Sequence, residues 1–171
     1  MEANFELAQK LAKRIVWGLN FETGSTRVAV VLFSDEASIQ FPLNEYTRRE
    51  EVLNAIAFKN DMKRTGTAAG LRALRQDVFS NANGDRTGFD NYAIVITDGR
   101  SNIDSDLTPQ EAASLQAVAE VFAVGVGHNG QVDRNEINDI ASDTDSDHAY
   151  FMEREEELDL VANNILDVIC Q

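Results

Sequence analysis

Tyr92-Ala93-Ile94-Val95-Ile96-Thr97-Asp98-Gly99 is the stretch on which the reading of the fold turns. Its apolar core is short, rich in β-branched residues, preceded by a turn-rich run from Asn81 to Asn91 and closed by the turn residues Thr97-Asp98-Gly99. Such a run forms a strand buried on both faces. Two further stretches have the same character, Arg27 to Phe33 and Val121 to Val126, and Ala149-Tyr150-Phe151 adds a shorter one. Ser38-Ile39-Gln40-Phe41 alternates polar with apolar ahead of Pro42, which suits an exposed edge strand hairpinned onto the strand before it.

Amphipathic helices separate these runs. Phe5, Ala8, Leu11, Ala12, Ile15 and Leu19 recur at helical spacing, predicting a helix over about 4–19. Further helices are expected over 48–58, 67–79, 109–119, 134–140 and 155–169, the last with Leu158, Val161, Ala162, Ile165 and Ile169 on one face. Buried strands alternating with such helices specify an α/β fold: a doubly wound, mainly parallel sheet with helices on both faces and one antiparallel edge strand. Ligands of these sheets sit beyond the carboxyl ends of the strands, which directs the search for a site to the loops after Phe33, Ile96 and Val126 and before the third helix.

The 171 residues are 43% hydrophobic and carry only two prolines, as one domain with a sizeable core would. Acidic residues outnumber basic ones 29 to 15, and the resulting charge of −14 would repel phosphate backbones and anionic lipid, so nucleic acid is not an expected partner. No apolar run approaches the ~20 residues that cross a bilayer, so membrane insertion is not expected, and the start, Met1-Glu2-Ala3-Asn4, lacks the features of a signal peptide. Cys170, the single cysteine, is by arithmetic alone a buried thiol, a free thiol or half of a disulfide with a partner elsewhere.

Motifs for chemistry are sparse. Asp143-Thr144-Asp145-Ser146-Asp147 opens like a calcium loop, but His148 stands where glycine is needed and Arg154 where glutamate is needed, so it reads as an acidic surface turn. His128 and His148 are not at zinc-ligand spacing and are expected to be solvent-exposed or at strand ends. The sequence has no Gly-x-Ser-x-Gly and no phosphate loop, and the glycines at 125 and 127 lack the third glycine of a dinucleotide fingerprint, so no enzyme is expected.

Six segments taken in order resemble the von Willebrand factor type A family, most closely the A domains of matrilins and matrix collagens. They are Arg27 to Ser34, Phe41-Pro42-Leu43-Asn44, Arg64-Thr65-Gly66-Thr67-Ala68-Ala69-Gly70-Leu71, Ile94 to Ser101, Val121 to Gly127 and Ile140-Ala141-Ser142-Asp143. The resemblance implies a metal-ion-dependent adhesion site holding Mg²⁺ or Mn²⁺, whose shell a ligand's carboxylate completes. Of its protein ligands, the loop threonine and the aspartate of Thr-Asp-Gly correspond to Thr65 and Asp98. Hydroxyl and carboxylate oxygens suit such hard cations. The competing readings are a cap for the third helix, by Thr65 or Thr67, and a turn aspartate at position 98.

The family's first strand and its Asp-x-Ser-x-Ser motif have no counterpart here. The family's strand order, 3-2-1-4-5-6, makes the missing strand the central one, between the strands at Val28 and Ile94. Three explanations stand: an N-terminally truncated single domain over 1–171, a strand supplied by a complementing partner or domain swap, and a sheet that closes without it. Truncation accommodates Cys170 as well, since many such domains pair a cysteine after the last helix with one before the first strand. The expected function is extracellular adhesion to a matrix protein such as collagen, in a secreted or matrix location, with Mg²⁺ binding weak or absent in the chain as written. The rival is a structural matrix-assembly domain that works without metal.

Overall fold

The computed structural model describes residues 2–59, 64–98, 100–128 and 130–170; Gly99, the third residue of Thr-Asp-Gly, lies outside them. At its centre is β4 (Glu120–Val126), buried from Val121 to Val126. β4 pairs in parallel with β3 (Tyr92–Thr97) on one side and with β5 (Ala149–Met152) on the other, with Ile94 opposite Phe122 and Val124 opposite Tyr150. Side chains alternate across this sheet. On one face Ala93, Val95, Val121 and Ala123 meet Leu71 of α3 (Thr67–Ala73), Leu115 of α4 (Thr108–Gln116), and Ile137 and Ile140 of α5 (Arg134–Ile140). On the other, Phe122, Val124 and Val126 meet Leu11 and Ile15 of α1 (Glu2–Gly18), with Val161, Ala162 and Ile165 of α7 (Leu158–Ile169). The two helices of that layer come so close at Gly18 that a Cβ there would lie 2.3 Å from the Leu166 side chain.

A second sheet stands apart from the first. β1 (Val30–Phe33) and β2 (Ala37–Phe41) form the expected hairpin, antiparallel from Phe33↔Ala37 to Val30↔Phe41. With α2 (Arg49–Ala55) it builds its own core of Val16, Phe41, Val52 and Ile56. The strands thus form two sheets, as an absent central strand between them would leave, and among the described residues β1 does not close directly onto β3, contrary to the alternative of a sheet that closes without it. The run Arg27 to Ala29 stays outside any ladder because β2 reaches only as far as Val30 and, among the described residues, no strand pairs from the other side.

β1 and β3 nevertheless run in the same direction. At their starts the Arg27 guanidinium donates to the Gly84 carbonyl at 2.6 Å, and that of Arg86 donates to the carbonyls of Gly24 and Ser25. At their ends the loop before α3 touches both: a Cβ on Gly66 would lie 2.5 Å from the Ser34 carbonyl, and the Asn102 amide donates to the Thr65 carbonyl at 2.9 Å.

Smaller departures have local causes. The helix over 67–79 is α-helical to Ala73 and then widens into a π-turn, Leu74–Val78, which the 3.6-residue period does not reveal. The helix over 48–58 ends at Ala55, where Ile56 leaves the helical region at φ −79° and ψ 76°. The acidic run makes a single helical turn, α6 (Asp145–His148), whose aspartates are exposed. His148 itself is buried at the strand end before β5, with Nε2 2.7 Å from the Glu120 carboxylate and its ring 4.9 Å from that of Phe122; His128 is exposed. Among the described residues no helix is long and apolar enough to cross a membrane.

Candidate metal and ligand site

Between β1 and β3 lies a cavity of about 910 Å³ whose lining includes both Thr65 and Asp98. Asp98 follows directly on β3, and Thr65 sits in the loop that leads into α3. Both are half-buried. The two loops are stitched together by backbone and side-chain bonds. The Thr65 amide donates to the Asn102 side chain at 3.1 Å, the Thr65 carbonyl accepts from the Asn102 amide, and the Ser101 hydroxyl donates to the same carbonyl at 3.3 Å. Neither threonine caps α3: Gly66 is the cap residue, without a side-chain bond, and the Thr67 hydroxyl donates to Glu136 at 3.1 Å. Among the described residues, no hydrogen bond or ion pair engages the Thr65 hydroxyl or the Asp98 carboxylate. Asp35, in the loop after β1, is exposed and turned to Arg64 at 3.5 Å.

Glu136 escaped the sequence reading. Its carboxylate accepts from the Ser101 amide at 2.9 and 3.1 Å and from Thr67, so one side chain of α5 fixes both loops from behind. Burial pushes its pKa up, against the bonds from Ser101 and Thr67 that favour the charged form. Nothing in Arg134-Asn135-Glu136-Ile137 marks this residue, because its partners are brought to it only by the tertiary fold. Beside it Asp133 caps α5 through the amides of Asn135 and Glu136 and receives the Arg100 guanidinium at 2.5–2.8 Å; the Arg100 bond leads in holding its carboxyl below the usual range.

The donors fit a hard divalent cation in kind, being oxygen atoms at a half-buried mouth, but not in number, since octahedral Mg²⁺ takes six ligands. Among the described residues no three His, Cys, Asp or Glu side chains converge on a metal-sized point. Cys170 is a free, exposed thiol, which removes the buried alternative.

The model of the von Willebrand factor type A domain matches residues 1–164. The chain belongs to this family. It is 31% identical to matrilin-1 of Gallus gallus over 149 residues, covering 86% of the chain and 29% of that protein. It is 29% identical to integrin alpha-M of Mus musculus, covering 87% and 13%, and 25% identical to the collagen alpha-1(XII) chain of Notophthalmus viridescens, covering 98% and 18%. Among solved structures it resembles proximal thread matrix protein 1 of the mussel byssus, with a TM-score of 0.87 and 25% identity over 99% of the chain and 44% of that protein. A form of that protein with a zinc-occupied adhesion motif matches at a TM-score of 0.84 and 26% identity. The type A chain thus spans less than a third of these curated relatives and under half of the mussel protein.

Proposed function

We propose that this domain is a secreted adhesion module, without catalytic turnover, that binds a matrix protein such as collagen through a divalent cation held in part by Thr65 and Asp98. The reading is supported by the presence of both oxygen donors in the lining of one cavity, on loops that are bonded to each other through Thr65, Ser101 and Asn102. Mg²⁺ or Mn²⁺ suits hydroxyl, carboxylate and water ligands, and the zinc-occupied motif of the mussel protein makes zinc a third candidate. With two protein donors the affinity of this chain for Mg²⁺ is weak or nil. The remaining ligands belong on a segment upstream of Met1: an apolar strand followed by Asp-x-Ser-x-Ser, of which 1–171 is the truncated remainder, with a cysteine before it to pair with Cys170.

Titration calorimetry of the chain, of a form extended by such a segment, and of the extended Asp98→Ala variant tests this. The expected result is Mg²⁺ binding that appears on extension and disappears in the variant, with collagen binding following it. An extended form that ignores both Mg²⁺ and Asp98→Ala refutes the reading. That outcome favours the alternative, a structural matrix-assembly module that works without metal.

A further inference from the structure

Thr65 and Asp98 stand on different loops and their oxygens have no partner among the described residues, so the backbones of those loops decide how far apart the two donors lie. Those backbones belong to a closed ring of bonds. The Thr65 carbonyl accepts from the amides of Asn102 and Ile103 and from the Ser101 hydroxyl. The Ser101 amide donates in turn to Glu136, and the Thr67 hydroxyl, two residues beyond Thr65, donates to the same carboxylate. Of these residues Glu136 alone lies on neither loop. Ser101 is 3% exposed and Thr67 0%, so water is kept from taking the place of the carboxylate if it is removed.

The carboxylate does not serve its own helix. Glu136 is the third residue of α5, where a glutamate commonly folds back onto the amide of the cap residue. Here Asp133 caps the helix with its own side chain, and both oxygens of Glu136 are directed to the loops instead. Nor does it neutralise a cation: among the described residues Glu136 has no salt bridge, and the guanidinium of Arg100, beside Ser101, is held by Asp133. A half-buried carboxylate with neutral partners costs more desolvation than a packing role requires. We infer that Glu136 is the positioning residue of the candidate cation site, fixing the loops of Thr65 and Asp98 at one separation so that a divalent cation meets both oxygens together. This role rests on the reading of Thr65 and Asp98 as ligands, whereas the joining of the two loops holds with or without a cation. Glu136 acts through Ser101 and Thr67 and is not itself a ligand. A neutral amide does the same work, since Oε1 of a glutamine accepts from the Ser101 amide while its Nε2 donates to the Thr67 hydroxyl oxygen. An alanine leaves both donors buried and unpaired.

The test compares the 171-residue chain with its Glu136→Ala and Glu136→Gln variants, first by amide exchange in EDTA and then by the broadening of amide resonances on addition of millimolar Mn²⁺. In Glu136→Ala the Ser101 amide is expected to exchange roughly tenfold or more faster, while the amides of Val121 to Val126 keep the parent rates. The amides of Asn102 and Thr65, neither bonded to Glu136, are expected to accelerate with it, because the ring has been opened. Glu136→Gln is expected to keep the parent rates. With Mn²⁺, Thr65 and Asp98 should broaden at one concentration in the parent and in Glu136→Gln, whereas in Glu136→Ala Thr65 should need roughly tenfold more, the usual cost of losing a partner behind a metal ligand. If Glu136→Ala also loses protection along β4, Thr67→Val replaces it: the Thr65 amide should then accelerate while that of Ser101 stays protected. Unchanged exchange at Thr65 and Asn102, joint broadening in Glu136→Ala, or failure of glutamine to restore the parent behaviour overturns the inference. A parent chain in which Mn²⁺ broadens neither residue refutes the ligand reading instead, and the exchange rates then decide by themselves whether Glu136 joins the loops.

Discussion

Replacing Gly66 by alanine tests how tightly the loop carrying Thr65 is pressed between the two sheets. Gly66 has φ −99°, which any residue adopts, so the cost is one of contact and not of backbone conformation. The new Cβ would lie 2.5 Å from the Ser34 carbonyl oxygen and 3.7 Å from that of Asp35, and both obstacles are backbone. Restoring ordinary contact requires the loop to retreat by roughly 0.7–0.9 Å, an overpacking strain of about 1–3 kcal/mol. A retreat from Ser34 shifts Thr65 against the loop after β3 and spoils the geometry of the 2.9 Å bond from the Asn102 amide and of the 3.3 Å contact from Ser101. At about 1 kcal/mol net for each of the two bonds, the total comes to about 3–5 kcal/mol. With a urea dependence of about 2 kcal/mol/M, the unfolding midpoint should fall by roughly 1.5–2.5 M. Gly88 provides the control: a Cβ there would meet nothing within 4 Å, and with φ at +87° alanine costs only the strained backbone, about 1 kcal/mol. Equal midpoints for Gly66→Ala and the parent chain would refute the close packing on which the joined loops depend.

Three further substitutions have defined outcomes. Glu111 accepts from Arg72 at 2.8 Å and Arg75 at 3.0 Å; burial raises its pKa, but the two arginines outweigh burial and hold it below the usual carboxylate range. Its contribution is therefore present above the unfolded-state pKa and lost as pH falls through the lower folded value, so Glu111→Gln should cost about 1–2 kcal/mol at pH 7 and nothing in acid beyond that window, read from urea midpoints across pH. Asp133→Ala removes the α5 cap and the Arg100 partner and should cost about 1–2 kcal/mol, with Asp133→Asn recovering the capping share. Ile165→Ala, at a fully buried site under β4, should cost about 2–5 kcal/mol by calorimetry, and a loss below about 1 kcal/mol would mean that α7 is not packed as described.

The residues reveal the elements of this fold more readily than their assembly. Tyr92 to Thr97 and Val121 to Val126 declare themselves because strands buried on both faces need unbroken apolar runs. Leu158 to Ile169 does so through its one-sided spacing. Arg27 to Ala29 has the same strand-forming composition, yet remains unpaired, because a ladder needs a neighbour and propensity cannot supply one. The placement of Asp98 beyond a strand's carboxyl end and of Thr65 before α3 is legible from element order alone. The parts hidden from sequence are contacts between distant segments: Glu136 reaching Ser101 and Thr67, and His148 turned inward against Phe122 and Glu120.

α1 belongs to two cores at once. Leu11 and Ile15 pack with β4 and α7, while Val16, one position on, packs with Phe41, Val52 and Ile56 beneath the hairpin. A displacement of α1 therefore disturbs both cores at once, and it also breaks the bonds of Gln9 to the Phe58 backbone on one side and of Arg14 to Asp159 and Asn163 on the other. The two sheets are thus coupled through one helix, so loosening it would release the hairpin and the parallel sheet from each other.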